Sequence, residues 1–197
     1  MLFDPQAANP DALWTMEKAW FEFLAAFPPG QLYWGQDPDV WKHNLRMAFA
    51  HICPEPETAH TENIGGGDWL FDVVWAIGNP QTASFISFGM AVEIAWPWAA
   101  HSWAEWTQDV VEHSNRLHAA ECESKVLVVA APLFEDDPFM RATVVTDKCR
   151  EQYARVPYEV LHVICHKPQQ GNRGCSIRGI WYDCNSISVK KYGDRVG

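Results

Sequence analysis

The hydrophobic pattern changes period several times along the chain, and each change predicts an element. From Asp11 to Phe27 apolar residues recur at helical spacing, with Leu13, Trp20, Phe23, Leu24 and Phe27 on one broad face. Pro28-Pro29-Gly30 stops that helix. A second helix is expected from Asp39 to Ile52, with Val40, Trp41, Leu45, Ala48 and Phe49 turned inward. Residues 54–61 read as a loop, or as a short strand after the prolines, and Gly65-Gly66-Gly67 as a flexible turn. Apolar runs at about 68–77 and 84–96, joined through Gly78-Asn79-Pro80, read as a β-hairpin that Pro97 ends. His101 to Ala120 returns to helical spacing, with Trp103, Trp106, Val110 and Leu117 near one side. Lys125 to Ala131 is a continuous apolar run, as expected of a buried strand. Residues 135–154 are expected to be helical, Tyr158 to Cys165 and Ser176 to Tyr182 to be strands, and the tail to be exposed. A hairpin followed by a crossover helix and a buried strand implies an α/β fold, with a central mixed β-sheet flanked by helices.

Length and composition narrow this picture. A chain of 197 residues suits one domain spanning 1–197, and 48% apolar against 20% charged residues marks a folded protein. Among eleven tryptophans, Trp14, Trp20, Trp69, Trp75 and Trp96 lie in core-like patterns, whereas Trp98, Trp103 and Trp106 could line a cleft. The net charge of −10 argues against a protein that coats duplex DNA through its phosphates. The charge is unevenly spread. Residues 1–140 hold 5 Lys/Arg and 20 Asp/Glu, while residues 141–197 hold 10 and 5. A nucleic acid would therefore meet the basic C-terminal third, although an uneven solvated surface explains the same pattern. Met1-Leu-Phe-Asp has no signal-peptide character, no run is long enough to span a bilayer, and the six cysteines contain no CxxC pair. These features lead to the expectation of a cytoplasmic protein with reduced thiols and no membrane partner.

The chemistry with most promise is a pair of carboxylates in apolar surroundings. Asp72 stands in Phe71-Asp-Val-Val-Trp75, and Glu93 in Ala91-Val-Glu-Ile-Ala-Trp96. Burying a carboxylate is costly unless it is paired, protonated or bound to metal. By strand alternation Phe85, Ser87, Gly89, Ala91, Glu93 and Ala95 share a face of small residues that would admit a ligand or helix closely. The opposite face, Ile86 to Trp96 at alternate positions, is core. Should the hairpin register bring Asp72 beside Glu93, a cation between them would relieve their repulsion, and Mg²⁺ or Mn²⁺ suits an oxygen-only site.

These motifs, with the Trp-rich helix and Lys125-Val-Leu-Val-Val129 after them, resemble the PD-(D/E)XK nuclease superfamily over about residues 38–131. The resemblance implies a restriction-endonuclease-like core and a metal held by Asp72, Glu93 and the Ile94 carbonyl, activating water for attack on a phosphodiester. It also implies a lysine two residues after the glutamate, where this chain has Ala95. Arg116 and Lys125 are the candidates to supply that charge, though Lys125 reads more readily as a plain strand-end charge. Glu55 or Glu57 could add a carboxylate from a solvated Pro-rich loop. The expectation is thus a Mg- or Mn-dependent nuclease or its degenerate descendant. The alternative is a non-catalytic, acidic, immunity-like protein that contacts a basic protein partner.

Two further groupings carry chemistry. His162, Cys165, His166, Cys175 and Cys184 invite a zinc reading, but their spacing forms no tight knuckle, and a strand with one partly exposed face accounts for them as well. His101 and His113 flank the Trp-rich helix, and His113 lies one turn before Arg116, so both could face a cleft or form a solvated helix face.

Overall fold

The computed structural model of the chain describes residues 15–26, 37–61, 71–78, 87–97, 100–131, 138–151, 158–165, 176–183 and 188–196. Within them the order is α1 (Thr15–Ala26), α2 (Pro38–His51), β1 (Thr58–Thr61), β2 (Val73–Ile77), β3 (Ser87–Ala95), α3 (Trp103–Ala119), β4 (Ser124–Ala130), α4 (Pro138–Glu151), β5 (Tyr158–Cys165), β6 (Ser176–Asp183) and β7 (Ser188–Val196). Seven strands form one sheet in sequence order. β1, β2 and β3 are antiparallel neighbours, β3, β4 and β5 run parallel, and β6 and β7 return antiparallel. The two parallel pairings require crossovers, which α3 and α4 supply. The α/β architecture with a mixed sheet between helices is as the sequence pattern implies.

Local chemistry sets the helix starts. Asp37 caps α2 by accepting from Asp39 N at 2.9 Å, and Pro38 fills the first helical position, where no amide donor is needed. Ser102 caps α3 by accepting from Glu105 N at 3.2 Å, and Glu105 Oε2 reaches back to His101 N at 2.8 Å.

Each face of the sheet has its own apolar cluster. Trp20 and Phe23 of α1 and Trp41, Leu45 and Phe49 of α2 pack with Val73, Trp75, Met90, Val92, Ile94, Trp96, Val126 and Val128. Trp106, Val110 and Leu117 of α3 and Ala142 and Val145 of α4 pack with Ala91, Ala95, Leu127, Val129 and Val160. The alternation read along β3 is therefore correct, but its small-residue face is roofed by α3 rather than open. Trp20 lies so close on β6 that a side chain at Gly179 would collide with its ring. Gly78, which follows β2, has φ of 94°, a conformation that glycine adopts without strain.

Several boundaries differ from the expectations. Phe71 and Asp72 form a bend, and β2 starts at Val73, so Asp72 stands immediately before the strand rather than within it. The segment after the prolines does form a strand, β1, which completes an antiparallel three-stranded unit. The tail is not merely exposed chain: Ser188–Val196 pairs with β6 as the last strand. Its Lys190-Lys191 and Gly193-Asp194-Arg195 lack an apolar alternation, and backbone pairing does not need one. Trp106 is not a cleft residue. It is fully buried, and its indole N–H donates to Ala130 O at 2.9 Å. Trp103 stacks on it at 4.8 Å, with the Arg141 guanidinium 5.8 Å from the Trp103 ring. Trp14, Trp69 and Trp98, and the Gly65-Gly66-Gly67 turn, lie outside the described residues.

A buried acid–acid–histidine cluster

The site forms where β2 begins beside the end of β3. Val73 pairs with Val92, so Asp72 at the preceding bend falls next to the Glu93 end of β3. Asp72 is 7% and Glu93 1% exposed. Asp72 is held from two elements. Its Oδ2 accepts from the Ile94 backbone N at 2.7 Å, and its Oδ1 accepts from Arg46 Nε of α2 at 3.0 Å and also from Arg46 Nη2. The described role of Ile94 is thus as an amide donor to Asp72, whereas the family resemblance implies its carbonyl as a ligand.

Glu93 is held from α3. Glu93 Oε2 accepts from Arg116 Nη2 at 2.8 Å and Nε at 3.1 Å, and lies 2.5 Å from His113 Nδ1. Arg116 Nη2 is also 2.5 Å from His113 Nδ1, so one cationic nitrogen lies beside both a carboxylate oxygen and an imidazole nitrogen. Glu93 Oε1 is buried and meets no hydrogen-bond donor among the described residues. Asp72, Glu93 and His113 each present a ligand atom within 4.8 Å of the others, a grouping able to hold a metal ion. Burial opposes the charge on Arg116. The hydrogen bond to Glu93 and the negative charges of Glu93, Asp72 and Asp109 outweigh it and raise its pKa.

The structure sorts the sequence-derived candidates. It brings together Asp72, Glu93, Ile94 and Arg116. Lys125 is directed elsewhere: its Nζ donates to His118 O at 3.1 Å, near the end of α3, and burial lowers its pKa. Ala95, at the position where the resemblance implies lysine, is fully buried in the apolar cluster beneath α3. Glu55 is exposed. Glu57 lies against Gly89, filling the space a side chain there would need, and burial followed by the charge of Glu123 raises its pKa. Gly89 precedes Glu93 by four strand residues, roughly 13 Å, so Glu57 belongs to another region.

Of the zinc-like group, His162 is fully buried in β5, and burial lowers its pKa to about 3. His166, Cys175 and Cys184, and the Cys165 side chain, lie outside the described residues.

Two cluster residues have signals that sequence reading underused. His113 continues the buried stripe Trp106–Val110–Leu117 of α3, and a titratable residue on such a stripe needs a polar partner. Arg46 is one of only five Lys/Arg residues before residue 141, and it sits between the inward-facing Leu45 and Ala48. Comparison with known protein families, with curated proteins and with solved structures found no match.

Proposed function

We propose that Asp72, Glu93 and His113 form the metal centre of a divergent phosphodiesterase of the restriction-endonuclease-like type, or of a descendant that has kept the centre. The observation that carries this reading is the convergence of two buried carboxylates and an imidazole, with one carboxylate oxygen, Glu93 Oε1, meeting no donor among the described residues. The strand–strand–helix–strand order of β2, β3, α3 and β4 agrees with the motif positions that suggested the family. The donor set fits a divalent ion, Mg²⁺ or Mn²⁺ on its oxygens, which would supply Lewis-acid stabilisation and a more acidic water.

The chain's own residues divide the remaining work. Arg46 and the Ile94 amide fix Asp72. His113 limits how Glu93 can turn. Arg116, 42% exposed on its side chain, is the cation able to reach a phosphate from the rim, as the absent lysine would. Because Arg46 and Arg116 already neutralise the two carboxylates, an entering ion must compete with them, and weak binding is expected.

The test is calorimetric titration with Mg²⁺ and Mn²⁺, alongside hydrolysis assays on DNA, RNA and a simple phosphodiester. The reading expects ion-dependent hydrolysis that disappears in Asp72→Asn and Glu93→Gln variants that remain folded. Absence of both ion binding and hydrolysis would refute it.

A second reading is favoured by the same charge closure and by Ala95 in the core: a non-catalytic acidic protein that engages a basic partner. Phe21 and Met47, 45% and 46% exposed on the mutually packed α1 and α2, would contribute apolar contact. Such association would survive Asp72→Ala and weaken at high salt.

A further inference from the structure

The geometry points to a centre that selects a transition ion able to take an imidazole nitrogen, such as Zn²⁺ or Co²⁺, over Mg²⁺, with Asp109 as the residue that aims that nitrogen. This rests on the metal reading above and revises its ion, making Mg²⁺, one of the two named there, the weaker binder.

The donor set is mixed. Asp72 and Glu93 offer hard oxygens, and His113 offers a nitrogen in the same 4.8 Å group. Mg²⁺ takes oxygen ligands almost alone, whereas imidazole suits zinc and its first-row neighbours. His113 is well placed for such a role, since its ring is only 10% exposed and Nδ1 faces Glu93. Nδ1 lies 2.5 Å from both Glu93 Oε2 and Arg116 Nη2, and the same Nη2 lies 3.2 Å from Nε2, so Nδ1 offers a lone pair to a metal in the tautomer protonated at Nε2.

Metal binding through Nδ1 requires the proton on the other ring nitrogen, and a partner for it is present. Asp109, one turn earlier on α3, places Oδ2 at 3.8 Å from His113 Nε2. That oxygen is buried and meets no hydrogen-bond donor among the described residues. Metal-bound histidines typically direct the second ring N–H to a carboxylate, which fixes tautomer and ring orientation. A small approach of Asp109 would complete that arrangement. Two buried oxygens without donors among the described residues, Glu93 Oε1 and Asp109 Oδ2, thus find a use in a single geometry. The spacing Asp109, His113, Arg116 sets all three groups on one side of one helix.

The test titrates the whole chain with Zn²⁺, Co²⁺ and Mg²⁺ salts alone, and follows His113 by long-range ¹H–¹⁵N spectra. Wild type should bind Zn²⁺ and Co²⁺ at least about tenfold tighter than Mg²⁺, with the His113 Nδ1 resonance shifting on saturation. His113→Asn should lose that preference, its Zn²⁺ affinity falling to near that for Mg²⁺. Asp109→Asn, which keeps the side chain's size and is checked for folding by circular dichroism, should weaken Zn²⁺ about tenfold or more and leave Mg²⁺ unchanged. Equal affinity for Mg²⁺ and Zn²⁺, or a Zn²⁺ site that ignores both variants and leaves the His113 resonance unmoved, would overturn this inference alone. No ion binding at all would overturn the underlying metal reading with it.

Discussion

At the scale of single residues, the two carboxylates differ in how firmly they are held. Asp72 is paired with Arg46 in a setting where both side chains are nearly enclosed, at 7% and 11% exposure. Removing one partner of such a pair strands the other, at a cost of about 3 kcal/mol or more. Arg46→Ala should therefore lower stability by about that amount in urea denaturation. Arg116→Ala should cost less, and its effect should fade with salt, because Arg116 is open to solvent. His162 gives a separate prediction, on pH. Its folded-state pKa is lowered from near 6.5 to about 3 because burial excludes the charged ring. Between those values the unfolded chain takes up a proton that the folded chain refuses. The histidine's share of stability is complete above pH 6.5 and is lost as pH falls toward 3, by about 1.4 kcal/mol per pH unit. Thermal melts of His162→Leu from pH 7 down to pH 5 should show a shallower acid loss than wild type. Parallel curves would show that the His162 proton plays no part.

At the scale of elements, α3 is what distinguishes this centre. It supplies His113 and Arg116 to Glu93 and roofs the strand that carries it. The same roof explains why lysine is absent from position 95. Ala95 is 0% exposed and sits in the cluster with Trp106 and Val110, so a cation there would have to be desolvated. Ala95→Lys should destabilise the protein by several kcal/mol in denaturant titrations and confer no activity. A stable Ala95→Lys protein more active than wild type would instead mean that the position opens onto the site. The legibility of these elements follows their physics. The alternation of β3 is local, so it is readable and sets Glu93 on the face opposite the core residues of its strand; the 3.6-residue stripe of α3 is local too, but it leaves His113 open between a cleft and a solvated helix face. The approach of Arg46 from α2 is a long-range contact across 26 residues, and its side chain looks like any polar residue on a helix. Lys125 misleads for the same reason: its place beside Glu93 in the order of strands says nothing of where a flexible side chain turns, and it turns to the end of α3.

At the scale of the molecule, the sheet is wider than the sequence suggested, because its first and last strands, β1 and β7, are joined by backbone hydrogen bonds more than by apolar faces. The two apolar clusters enclose the sheet from both sides, and the acid–acid–histidine group lies where β2 and β3 meet under the rim of α3. Among the described residues no helix is long and apolar enough to cross a membrane. The paired arginines make the cluster nearly neutral without any added ion, which makes occupancy by a cation the question on which the functional account turns. The most direct measurement is titration of the wild-type protein and Glu93→Gln with Mn²⁺, followed by calorimetry and by loss of the free-ion paramagnetic resonance signal. The account predicts one site per chain in wild type and none in the variant, with both proteins folded. Equal uptake by the two proteins, or uptake by neither, would contradict it.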